Sequence, residues 1–197
     1  MKLLTFFIII FLNIAGLHGQ SVYTIQTSDM GIKGTSTFHD WELKATRIRG
    51  TCEMNCEGQM IKEIKSFYLE IPVKSLKSTE GSSMMDDKVY SALKSTSNQN
   101  IIFQFEKINS MSPNGNGWDV NVQGTFAIAG VSLRDNMNVH ATLEPDGTIT
   151  FIGSKKIRMK DFNVEPPKAF LGALTTGNEV VISFNINLAK NLIISSK

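Results

Sequence analysis

The chain is short of cysteine and histidine, and neither sign of charge is in clear excess. It has two cysteines and three histidines in 197 residues. A zinc centre needs about four ligands, so no metal is expected. Lys and Arg number 20 against 18 Asp and Glu, a formal net charge of +2, with no basic block. Nucleic acid and anionic membrane surfaces are therefore not implied partners. No G-x-S-x-G, phosphate loop, H-E-x-x-H or CxxC occurs. His39-Asp40 looks like a catalytic fragment, but neighbours on a strand point to opposite faces. The chain is read as no enzyme, with no cofactor. Beyond the N-terminus there is no second long hydrophobic run, internal repeat or low-complexity linker.

The N-terminus does carry such a run. Lys2 precedes apolar residues from Leu3 to Leu12, and small residues Ala15, Gly16 and Gly19 follow. This pattern is a secretory signal peptide, too short for a transmembrane helix of about 20 residues. The expectation is a leader over residues 1–19 and one domain over residues 20–197, exported to the periplasm or secreted. Export places Cys52 and Cys56, in GTCEMNCEG, in an oxidising compartment. A local disulfide is expected between them, with free thiols as the alternative.

The most informative stretch is WDVNVQGTFAIAGV, Trp118 to Val131. Trp118, Val120, Val122, Gly124, Phe126, Ile128 and Gly130 alternate with residues that are polar up to Gln123. This is the period of a strand with one buried face, unusually long, with glycines at expected bends. The same alternation recurs at Lys65–Val73, Asn100–Lys107, Met137–Leu143, Ile149–Gly153 and Glu179–Leu188. Val22–Gln26 and the segment from Gly31 read as two further strands. SPNGNG and the Asp146-Gly147 pair read as turns. Lys155, Lys156, Arg158 and Lys160 form a small basic run, read as a solvated strand face rather than an anion-contacting rim.

The period changes once. Ser82 and Ser83 are N-cap candidates, Asp86 and Asp87 follow in the first turn, and Met85, Val89 and Leu93 lie four apart. A helix is expected over Met84–Lys94, its methionines serving as packing. About eight or nine short strands with one short helix make an all-β antiparallel barrel or sandwich.

Several segments together resemble the YceI-like polyisoprenoid-binding proteins: GTSTFHDW, SLKS followed by SSMMDDKVYSALKS, NIIFQF, GTFAIAGV, and KDFNVEPP followed by TGNEVVISF. The resemblance covers Tyr23 to Leu188. It departs where Ala129 stands in place of a frequent histidine, and in the VSLRDNMNV segment. It implies a lipocalin-like antiparallel barrel whose interior holds a long isoprenoid or similar lipid, and it implies no catalytic residue. By parity, Phe67, Leu69, Ile71, Phe103, Phe105, Val120, Val122, Phe126, Ile128, Phe151 and Phe184 face the interior. Taken alone these read as core filler; with the resemblance they become candidate ligand-binding residues. The expected function is a lipid-binding barrel, the alternative an exported structural or interaction barrel without a lipid. A homodimer is compatible with the sequence.

Overall fold

Alternating apolar side chains give each strand one face that must leave water, and in this chain those faces close on one another. The computed structural model describes residues 21–58, 60–169 and 174–191. The expected leader, residues 1–19, lies outside them. Eight strands form the closed cycle: β1 (Ser21–Ser36), β3 (Arg49–Glu57), β4 (Met60–Pro72), β6 (Asn100–Asn114), β7 (Gly117–Ile128), β8 (Val131–Leu143), β9 (Ile149–Arg158) and β11 (Leu174–Lys190), with β11 returning to β1. All these pairings are antiparallel. Three short strands, β2 (Trp41–Ala45), β5 (Leu76–Ser78) and β10 (Lys168–Ala169), add to the edges, β2 against the second half of β1 and β5 against β2. One helix, α1 (Ser83–Ala92), follows β5.

The helix begins at Ser83, one residue before the expected Met84, and ends at Ala92, short of the expected Lys94; of the two cap candidates Ser82 takes the role. The Ser82 hydroxyl accepts from the Met85 amide and caps the first turn. Asp86 does more than complement the helix dipole. It is buried, and its carboxylate accepts from the Ser78 amide (2.7 Å) and the Lys77 ammonium (2.9 Å), tying α1 to β5. Burial opposes its ionisation, but those two donors hold its carboxyl below the usual range.

Three expectations change. Trp118–Val131 is not one strand: β7 ends at Ile128, Ala129 and Gly130 both take positive φ (51° and 87°), and Val131 opens β8 opposite Ile128. Two consecutive left-handed residues make a tight hairpin, which apolar Ala-Gly conceals from composition. The two expected N-terminal strands are a single β1, because Gly31 and Gly34 continue the ladder rather than break it. At Gly34 the Trp41 ring lies where a Cβ would stand, 2.2 Å from it. Strand β6 also runs on to Asn114, beyond the expected Lys107. Register shifts between Phe105 and Lys107 and between Ile108 and Ser110 scramble the alternation there.

The expected disulfide is the fourth correction. Cys52 and Cys56 are both free thiols on strand β3. Four steps along an extended strand span about 13 Å, roughly twice the Cα separation a disulfide bridges. Burial pushes the Cys52 thiol up to about 12, helped by Cys56 and Glu53. Tyr23 donates to Cys56 Sγ at 3.8 Å.

Candidate ligand cavity

The barrel interior is filled at one end and hollow at the other. At the filled end Cys52, Met54, Ala141, Ile149 and Leu188 are fully buried, at 0% exposure. Leu188 stands opposite Ile149, Ile149 opposite Leu143, and Tyr23 opposite Cys52, so these residues share the same few layers. The other end, beneath α1, holds a cavity of about 400 Å³, within the roughly 300–1,000 Å³ range of small-molecule sites. The cavity reaches the surface around exposed Met84, His39 and Lys168.

Four aromatic rings in contact line the cavity. Phe67 contacts Phe103 (centroids 6.2 Å) and Phe151 (5.9 Å), and Phe103 stacks at a tilt on Phe126 (4.8 Å). Strands β4 and β9 lie opposite each other in the eight-strand cycle. The Phe67–Phe151 contact therefore crosses the lumen and floors the cavity. Glycines on the inner parity make room for rings. A Cβ at Gly124 would stand 2.4 Å from the Phe103 ring, and one at Gly153 would stand 2.7 Å from the Phe184 ring. These are the glycines that the alternation counts as inward positions.

Ten of the eleven candidate residues border this cavity: Phe67, Leu69, Ile71, Phe103, Phe105, Val122, Phe126, Ile128, Phe151 and Phe184. Val120 does not. It is buried opposite Val139, toward the filled end. Helix α1 adds Met84, Met85, Val89 and Ala92, and its C-cap adds Leu93; Met85, Val89 and Leu93 are the expected apolar face, so the methionines belong to the cavity wall.

The alternation also hides a charge. On β9 the inward parity runs Ile149, Phe151, Gly153, Lys155, Ile157. Lys155 lies on the cavity wall, its side chain 14% exposed, while Lys156, Arg158 and Lys160 are exposed. The reading of a solvated face holds for those three and fails for Lys155. Its ammonium bonds the Asp135 carboxylate, donates to the Asn136 carbonyl (2.7 Å) and sits 5.8 Å from the Phe126 ring centre. Burial works against ionisation of Asp135, but the Lys155 ammonium and the Asn136 amide hold its carboxyl below the usual range. Extending the alternation two residues past Gly153 on β9, and back from Met137 on β8, would have found both partners.

The outer face carries a different polar set. His140 Nδ1 is 2.8 Å from Asp119 Oδ1, and Asp119 stands opposite Ser112. Asp119 sits on the middle strand, so Ser112 and His140 are two strand spacings apart, roughly 10 Å. A nucleophile relay needs the imidazole between serine and carboxylate, and this order is wrong for it. His39 Nδ1 meets the Asp40 backbone oxygen, not its carboxylate. Among the described residues, no group of three His, Cys, Asp or Glu side chains is placed to hold a metal ion.

No family model matches the sequence, and no curated protein matches it. Solved structures do. Burkholderia cenocepacia BcnA aligns over 81% of this chain and 95% of its own, with TM-score 0.63 and 19% identity. A polyisoprenoid-binding domain from Saccharophagus degradans, implicated in plant cell wall breakdown, aligns over 85% and 98%, with TM-score 0.64 and 12% identity. A mutant of the Campylobacter jejuni YceI protein, crystallised with a monobromobimane guest, aligns over 76% and 84%, with TM-score 0.58 and 15% identity. The closed eight-strand barrel with helix α1 is thus the fold of the YceI proteins.

Proposed function

We propose that this chain is an exported, non-catalytic carrier that holds a polyisoprenoid or similarly long apolar lipid in the lumen of its barrel. One observation carries the reading: a cavity of about 400 Å³, walled by Phe, Ile, Leu, Val and Met side chains from most of the closing strands and from α1. Each square ångström of lipid withdrawn from water there is worth about 25 cal/mol. Apolar contact carries little directional information, so selectivity follows chain length and girth. The likeness to a polyisoprenoid-binding domain supports the ligand class. The leader pattern at Lys2–Gly19 supports export, and the strand order of Ser112, Asp119 and His140 supports the absence of hydrolytic chemistry.

Organic extraction of protein purified natively from its own host, followed by mass spectrometry, tests the proposal. A stoichiometric long-chain lipid is the expected result. An interior that yields none, and takes up none on incubation with lipid, leaves the barrel as a structural or interaction domain.

A further inference from the structure

Strands β8 and β9 pair only from Val139–Gly153 to Leu143–Ile149. Beyond that point β8 stays on β7 through Ile128–Val131, and β9 stays on β11 through Arg158–Glu179, but no backbone ladder joins the two. The wall therefore has a gap between residues 131–138 and residues 154–158. Lys155 crosses it. Its stem lies on the cavity wall, and its ammonium reaches the Asp135 carboxylate and the Asn136 carbonyl on the far side. The other polar side chains around the cavity, Ser36, His39, Glu80, Ser82, Lys88, Lys168 and Thr176, come from the outer end of β1, the segment around the start of α1, and the β10–β11 region. Lys155 is the polar group set among Phe126, Phe184 and Ile182, opposite Ile182 in the ladder.

Resting on the carrier reading, we propose that Lys155 and Asp135 form a headgroup subsite at this gap, and that it selects a lipid with a neutral oxygen head, an alcohol or a carbonyl. An ammonium has three N–H donors. Asp135 and Asn136 take two, the ammonium also lies 5.8 Å from the Phe126 ring centre, and no third acceptor holds it among the described residues, which leaves one donor for a lipid oxygen. Asp135 is not among the residues that line the cavity: it stands behind Lys155, on the far side of the gap, its side chain 56% exposed. Because Asp135 already balances the lysine charge, the subsite has no net positive charge to offset a diphosphate. An anionic head would also meet the Asp135 carboxylate at close range, where like charges repel.

The test compares geranylgeraniol, geranylgeranyl diphosphate and the head-free hydrocarbon of the same chain, each displacing anilinonaphthalene sulfonate from the lumen. A hydrogen bond to a charged group sets the expected preference of wild type for the alcohol over the hydrocarbon at about tenfold. The diphosphate should bind no tighter than the alcohol. Lys155→Met should erase the preference for the alcohol, read as the ratio of alcohol to hydrocarbon affinity within the same variant. Lys155→Met combined with Asp135→Asn leaves no unpaired charge, so it keeps the test valid if the single variant folds poorly, and it should behave alike. Lys155→Arg should retain part of the preference. Equal binding of alcohol and hydrocarbon by wild type overturns the subsite while leaving the carrier reading intact. So does uniform loss of all three ligands on substitution, or a wild-type preference for the diphosphate above about tenfold. Failure of wild type to bind either the alcohol or the hydrocarbon overturns the carrier reading, and the subsite with it.

Discussion

The two ends of the barrel are built from the same strands with the same alternation, yet one is packed and the other hollow. On β11, Leu188 is 0% exposed at the filled end while Phe184, two inward positions away, is 9% exposed and borders the cavity. On β7, Val120 belongs to the filled end and Phe126 to the hollow one. Period-2 patterning determines which side chains point inward. Whether they meet depends on what stands across the lumen, and that is set by register and by rings such as Phe67 and Phe151. The filled end supplies cohesion, and the hollow end, capped by α1, is left with surface for a ligand.

The comparison breaks most readily on stability. Leu188→Ala, at the filled end, should cost about 4 kcal/mol, the transfer of buried methyl groups plus a new void. Ile128→Ala, on the cavity wall, should cost about half that, because the space beside it is already empty. Urea denaturation midpoints check both, and equal losses would mean the two ends are packed alike.

Asp86 sharpens the comparison, since its bonds to Ser78 and Lys77 hold the helix over the hollow end. Asp86→Ala should cost about 2–3 kcal/mol, leaving the buried Ser78 amide without its acceptor. Its folded-state carboxyl is held low. Its contribution is therefore complete above the unfolded value of about 4 and lost as pH falls through the lower folded value. Wild type should lose its stability advantage over Asp86→Asn on acidification below about pH 4, measured by denaturation at a series of pH values.

Phe126→Ala should act on binding more than on folding. Retained lipid per folded protein should fall, while the urea midpoint drops by an amount equivalent to about 2 kcal/mol, less than at a filled site. Gln123→Asp, on the outer parity of the same strand, should change stability by less than about 0.5 kcal/mol and leave lipid retention unchanged. Similar loss of lipid from both variants would remove the distinction between the inner and outer faces.

Much of this was legible in the residues. The antiparallel all-β chain, a helix capped at Ser82 or Ser83, and the inward direction of ten cavity residues follow from alternation and capping; the choice of a barrel over a sandwich came from the family resemblance. What was not legible has physical causes. The Ala129-Gly130 turn is written in apolar letters, so it reads as continuing strand. The bulges in β6 shift parity without a compositional mark. The cysteine spacing suits a turn, but the segment is extended, which separates the thiols. Lys155 stands in a run of four basic residues, and only continued alternation separates it from its exposed neighbours. Hollow and filled interiors share one pattern, so Val120 and Phe126 could not be told apart.

The central claim is that an apolar ligand occupies one end of this barrel and not the other. Methyl-labelled protein titrated with geranylgeraniol and followed by NMR tests it directly. The account predicts that signals of Ile101, Ile128, Val180 and Ile182 move while those of Leu143, Ile149 and Leu188 stay in place. Shifts spread evenly over both sets, or confined to the second, would contradict it.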